Sequence, residues 1–305
     1  MESTALQVFR DLDGWQALTI IVKATTYGAS LGAAGGVMFL AGFCDLVSEQ
    51  EDRALRRFIT RMTLGAMGLS VLRIALMNGM LSDELSGMWD VAMTQLVLKS
   101  SEGVATGLRV ASLLIIAVMC RKRVHGITLW AAFSAAFVAA TSFALVGHAS
   151  EVVMRSGLGL LPQMLLCLHL LAVAFWLGAL WPLHRSTHAD DIANIAVTME
   201  RFGKLAAVVV GLLAAVGVLL LWLLLGKPEM LWGTAYGQLF VAKLFFVAML
   251  LALAAMNKLR LTPQLLDGKH AAVLKLRRSI NAEIVVASLI LLVTASFTTV
   301  IGPES

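Results

Sequence analysis

The chain has 305 residues, of which 59% are hydrophobic and only 14% charged, and its formal net charge is +5. A soluble domain of this length needs more charge to cover its surface, so most of the molecule has lipid as its solvent, as the mean hydropathy of +0.85 also requires. The basic excess reads as lysine- and arginine-rich loops on one membrane face rather than as a nucleic-acid surface.

The apolar runs are about twenty residues long, enough to cross a hydrocarbon core of roughly 30 Å. Their backbone polar groups must be satisfied inside each helix. The prediction is an all-α integral membrane protein, a bundle of about eight transmembrane helices. The segment before the first span lacks the basic region and cleavage site of a signal peptide, so that span, 15–43, is expected to stay in the mature protein. Within it Gly28, Gly32 and Gly36 recur every four residues, an expected stripe for close helix packing. The second span, 56–81, carries Arg73, Met77 and Met80. In the connection that follows, Leu85, Met88, Ala92 and Leu96 fall at helical spacing. They predict a short amphipathic helix near 83–99, lying in the outer interface with Trp89 at headgroup depth. The third span, 102–121, carries Arg109. The fourth, 125–148, ends at His148. The fifth, 159–183, begins near Met164 and holds His169 well inside. The last three run over 203–226, 236–259 with Lys243, and 279–301 with Glu283 near its inner end.

Orientation follows from the connections. Arg53, Arg56 and Arg57 lie between spans one and two, and Arg121, Lys122 and Arg123 between three and four. Arg185, Arg201 and Lys204 flank the gap between five and six, and Lys258, Arg260, Lys269, Lys275, Arg277 and Arg278 crowd the gap between seven and eight. The alternate connections hold only Lys99, Arg155 and Lys227. The basic set faces the cytoplasm, which places both termini in the periplasm. The whole of 1–305 is then one polytopic membrane domain, with loops too short for a nucleotide-binding fold and no Walker-type phosphate loop, so an ATP-driven pump, or an enzyme in general, is not the expectation.

Polar side chains inside spans are costly and mark function or pairing. His148 and His169 lie on adjacent helices joined by an outer turn, so their rings are candidates to meet across the hairpin. Met77, Met80 and Met164 map to the same outer third. Thioethers suit Cu(I), and imidazole suits both copper states, which makes His148, His169, Met77, Met80 and Met164 the candidate metal ligands. Arg73, Arg109 and Lys243 sit at matching depth on that side. They are expected either to snorkel and pair with Asp83, Glu84, Asp90, Glu102 or Glu151, or to hold an anion such as a porphyrin propionate. At the inner face, His184 and His188 have helical metal-ligand spacing, and Cys44 and Cys120 are scattered, unpaired thiols. Glu283 is expected to pair with Arg278, Lys204 or Arg201 as an anchor.

These residues resemble the CopD/PcoD family of bacterial inner-membrane copper proteins. The resemblance rests on Arg201-Phe202-Gly203-Lys204-Leu205-Ala206, Thr234-Ala235-Tyr236-Gly237 with Lys243 following, Asn257 with the basic run to Pro263, and Leu276-Arg277-Arg278-Ser279 with Glu283. Upstream, Gly147-His148-Ala149 and His169-Leu170-Leu171-Ala172 leading to Phe175-Trp176-Leu177-Gly178 look alike too. It is clearest over 201–302, with Gly203 where Ser is frequent and Ala179 where Gly is frequent. It implies a multi-pass protein of the plasma membrane in copper resistance or uptake. Such a protein binds copper, as Cu(I) or Cu(II), at its periplasmic side and works with a periplasmic carrier resembling CopC. A different reading of the same histidines is an intramembrane redox protein that holds haem b between His148 and His169, with Arg73, Arg109 and Lys243 on the propionates. A third is a membrane docking partner with no bound metal.

Overall fold

The computed structural model describes residues 10, 12–146, 159–189, 191–225 and 235–300. Eight helices among them are long and apolar enough to cross a membrane, in agreement with the expected multi-pass bundle. In chain order the elements are α1 (Gly14–Phe43), α2 (Glu49–Ser82), a 3-10 turn (Leu85–Trp89), α3 (Val91–Lys99), α4 (Ser101–Met119) and α5 (Gly126–Thr141), which tightens into a second 3-10 turn (Ser142–Leu145). Then come α6 (Leu161–Ser186), α7 (Ile192–Leu225), α8 (Ala235–Met256), a π-helical turn (Asn257–Leu261), the short α9 (Thr262–Leu266) and α10 (Ala271–Val300).

Several helices begin well before their apolar runs. α2 starts at Glu49 because Ser48 and Glu51 form a reciprocal cap: the Glu51 amide donates to Ser48 Oγ at 3.3 Å and the Ser48 amide to Glu51 Oε2 at 2.9 Å. Its first two turns therefore stand outside the hydrocarbon. Asp13 and Gln16 close the same kind of box on α1.

α1 is the hub. Of its apolar window, 67% is buried inside the protein, against 6% for α8. It packs against α2, α5, α6 and α10, while α7 and α8 form the lipid-facing periphery. The closest approach is between α1 and α6. A Cβ on Gly35 would overlap the Ala174 backbone, and one on Gly178 would overlap the backbone at Gly35. The close stripe is thus Gly35 against Gly178 rather than the predicted Gly28/Gly32/Gly36: Gly32 has open space beside it, and Gly28 faces only a Leu291 methyl. Gly36 alone of the three is crowded, against Ile59 of α2. A four-residue repeat marks a face but not its partner, and the partner here carries its own glycine. Around the inner part of this contact lies an aromatic cluster, with Phe39 stacked on Phe43 and Phe58 on Trp181, and Phe202 packed against Phe43, Phe175 and Trp176. One continuous core runs through all of these helices.

The outer connection is helical, as expected, but broken in two. Asp90 takes an extended backbone and accepts from the Met93 amide at 3.0 Å, capping α3. Leu85, Trp89, Val91 and Leu96 are exposed on the outer side, as an interfacial segment requires. Met88 turns inward against Gly79, so it leaves the predicted apolar stripe.

Candidate functional site

The outer half of the bundle gathers charge from four helices. Arg73 on α2 meets Glu102 on α4 at 2.8 Å, both side chains largely buried. Of the acids expected as partners, Glu102 takes the role, while Glu151 lies outside the described residues. Asp83 closes the end of α2, Glu84 accepts from Ser86 Oγ, and Asp90 caps α3. Arg109, about two turns deeper on α4, is 1% exposed. Its Nε donates to Ser142 Oγ at 3.1 Å and its guanidinium lies 3.7 Å from the centroid of Phe143. The 3-10 turn that ends α5 delivers both partners. Nη1 and Nη2 of Arg109 have no hydrogen-bond acceptor. Phe143 in turn contacts Tyr27 of α1 edge-on.

Lys23, on α1, is a fourth cation, outside the set expected from the sequence. Its Nζ donates to the Thr298 carbonyl at 2.8 Å and lies 3.4 Å from Thr299 Oγ1. It neutralises the carbonyl end of α10, where the helix dipole favours a cation. A lysine inside a first span was itself the signal. Asn78 on α2, buried, donates to Thr94 of α3 at 2.8 Å and fixes the interfacial helix to the bundle.

His169 lies mid-span on α6, half-buried, and its Nδ1 is enclosed without a hydrogen-bond partner. Lys243 of α8 is within electrostatic reach of the ring. His148 lies outside the described residues. Met77 is half-buried on α2, while Met80 and Met164 are 42% and 66% exposed. α2 and α6 each pack against α1 and meet through Phe58 and Trp181 near the basic end. Among the described residues, no three His, Cys, Asp or Glu side chains converge.

At the basic end, the rings of His184 and His188 are 5.1 Å apart, with His188 Nδ1 on the His184 carbonyl. Cys44 is exposed and Cys120 buried. Arg201 pairs with Asp45 of the first inner loop and holds that carboxyl below the usual carboxylate range. Arg277 donates to the Thr187 hydroxyl and carbonyl and so caps α6 from α10. Glu283 departs from expectation: its partner is Asn257, whose Nδ2 donates to Oε1 at 2.5 Å, and no lysine, arginine or histidine among the described residues forms an ion pair with it. Arg201 and Lys204 are taken by Asp45 and Glu200 on the surface.

No curated protein and no solved structure matches the chain. Two family models do. The one described as "Copper resistance protein D-like, N-terminal domain" matches residues 12–160, from α1 to the start of α6. The one described as "Copper resistance protein D" matches residues 196–297, from α7 to α10. Together they span most of the chain, and they add the first four spans, where the motifs were weakest, to the segment that first carried the resemblance. The chain belongs to the copper resistance protein D family of multi-pass membrane proteins.

Proposed function

We propose that the protein carries copper across the bacterial plasma membrane, taking it up at the periplasmic side through imidazole and thioether ligands, His148, His169, Met77, Met80 and Met164, from a carrier resembling CopC. The observation that carries this reading is His169, an imidazole in mid-bilayer whose Nδ1 has no partner, in a chain of the copper resistance family. A ring nitrogen left unsatisfied in a low-dielectric interior costs stability unless a ligand uses it. Lys243 is within electrostatic reach of the ring, and its positive charge favours copper delivered with its own anionic ligands over the bare ion. The ion would pass inward between spans two, four and five.

The test is the copper-dependent growth phenotype, with copper content of the purified chain measured alongside. His169→Ala is expected to abolish both with normal membrane insertion, and Met77→Ala and Met80→Ala to weaken them. Wild-type copper response in all three would reject the site. A second reading, haem b between His148 and His169, is favoured by the two acceptor-free nitrogens of Arg109, which suit a propionate. A Soret band that shifts on adding dithionite would establish it in place of the first.

A further inference from the structure

Glu283 is a carboxyl 4% exposed, inside the last span, whose direct hydrogen-bond partner is a neutral amide. An ionised carboxylate in such a place is costly unless a cation or several donors compensate it. The groups facing it from each packed element are few. Asn257 comes from the π-helical turn, and the Trp176 indole on α6 turns toward the same carboxyl without a well-aligned bond. From α10 itself there is Ser279, one turn nearer the basic loops on the same face. The charged side chains nearby point elsewhere: Lys258, Arg260 and Arg278 are exposed, Arg277 is committed to Thr187, and Lys204 and Arg201 are paired at the surface. The titratable group on the facing part of α6, His184, lies at the basic end beside His188.

The amide geometry identifies the missing atom. Asn257 gives Nδ2 to Oε1 of Glu283, while its own Oδ1 is buried and accepts nothing. A proton on Oε2 of Glu283 would supply the donor that Oδ1 lacks and would close a two-bond acid–amide ring. A carboxylate has no donor to offer Oδ1. Asn257 is turned toward α10 by the π-helical turn, whose carbonyl at Asn257 accepts from both the amide and the hydroxyl of Thr262. Such turns insert a residue into a helix and recur at functional sites. Ser279 Oγ is likewise buried without a partner, on the path from Glu283 to the basic loops.

We propose that Glu283 and Asn257 form a proton-binding site at the cytoplasmic end of the bundle, with Ser279 on the route by which the proton reaches water. Binding makes the Oε2–H bond. Release breaks it, passes the proton toward the cytoplasm and leaves a carboxylate. In the copper-transport reading, on which this clause alone rests, the site couples ion movement to a proton gradient in a chain that has no ATP-binding loop.

The test uses the full chain in lipid nanodiscs and infrared spectroscopy across pH 5 to 8. A protonated-carboxyl C=O band is expected in the wild type at pH 7, downshifted in D2O and absent from Glu283→Gln, which keeps the ring as an amide pair. Asn257→Leu is expected to move that band to higher frequency by removing its hydrogen bonds. Absence of a protonated-carboxyl band in the wild type over this range would overturn the proposal. So would loss of the band on adding sodium at fixed pH, which would make the site a metal-cation site. His169→Ala is expected to leave the band intact, so failure of the copper site and failure of the proton site are read separately.

Discussion

The outer and inner thirds of the bundle each bury a glutamate, and the two solve the same problem differently. Glu102 faces Arg73 across two helices and is neutralised as an ion pair. Glu283 faces Asn257 and is neutralised, on our proposal, by a proton. The difference is one of partner, not of side chain. An ion pair fixes charge in place, whereas an acid–amide pair leaves a group that can change charge. On the proposed transport function, the first holds the fold and the second responds.

Several changes would break or sharpen this contrast. The largest effect is expected where the two halves share a helix contact. Gly178→Leu puts a side chain into the Gly35 backbone, and neither backbone can yield, so no monodisperse protein is expected after detergent extraction. Recovery of a well-behaved protein would show that α1 and α6 are not held this close. Next, Glu102→Leu leaves Arg73 buried without its counter-charge and is expected to cost about 3–5 kcal/mol, read as a fall in the thermal midpoint, with Arg73→Leu in the same chain restoring most of it. By contrast Glu283→Gln is expected to change the midpoint little, because the amide pair keeps both hydrogen bonds. If the two glutamate variants lose stability equally, the contrast is void. Arg109→Met should be neutral or stabilising, since the guanidinium leaves two nitrogens unpaired. A marked loss would mean that an anion or water normally completes it. The smallest effect concerns Asp45. Its carboxyl is held low by Arg201, so its contribution is present above the ordinary carboxylate pKa and lost as pH falls through the depressed value. Being exposed, it is screened, and Asp45→Asn should barely move the midpoint at neutral pH while removing that acid-side loss.

Much of this was legible in the residues. Spans follow from hydropathy because the penalty for an unsatisfied backbone in hydrocarbon leaves little choice of structure. Arg73 with Glu102 was among the pairs foreseen, because a buried arginine needs a carboxylate and few were within reach. Lys23 was missed because its partner is a backbone carbonyl of the last helix, which no side-chain pattern announces. The pairing of Glu283 with Asn257 is hidden for a related reason: a buried carboxylate calls for a cation, and a neutral amide carries no charge signal.

The sequence by itself determined that this is an eight-span helical membrane protein, which face is basic and which family it belongs to, because hydrophobic length, loop charge and motif order are local properties of the chain. Only the tertiary structure decided that α1 is the hub, that Gly35 meets Gly178, and that Glu283 finds an amide rather than a lysine. Those depend on which helix faces stand opposite one another. Inside a bilayer the hydrophobic effect does not choose among such faces, and close packing and hydrogen bonding do.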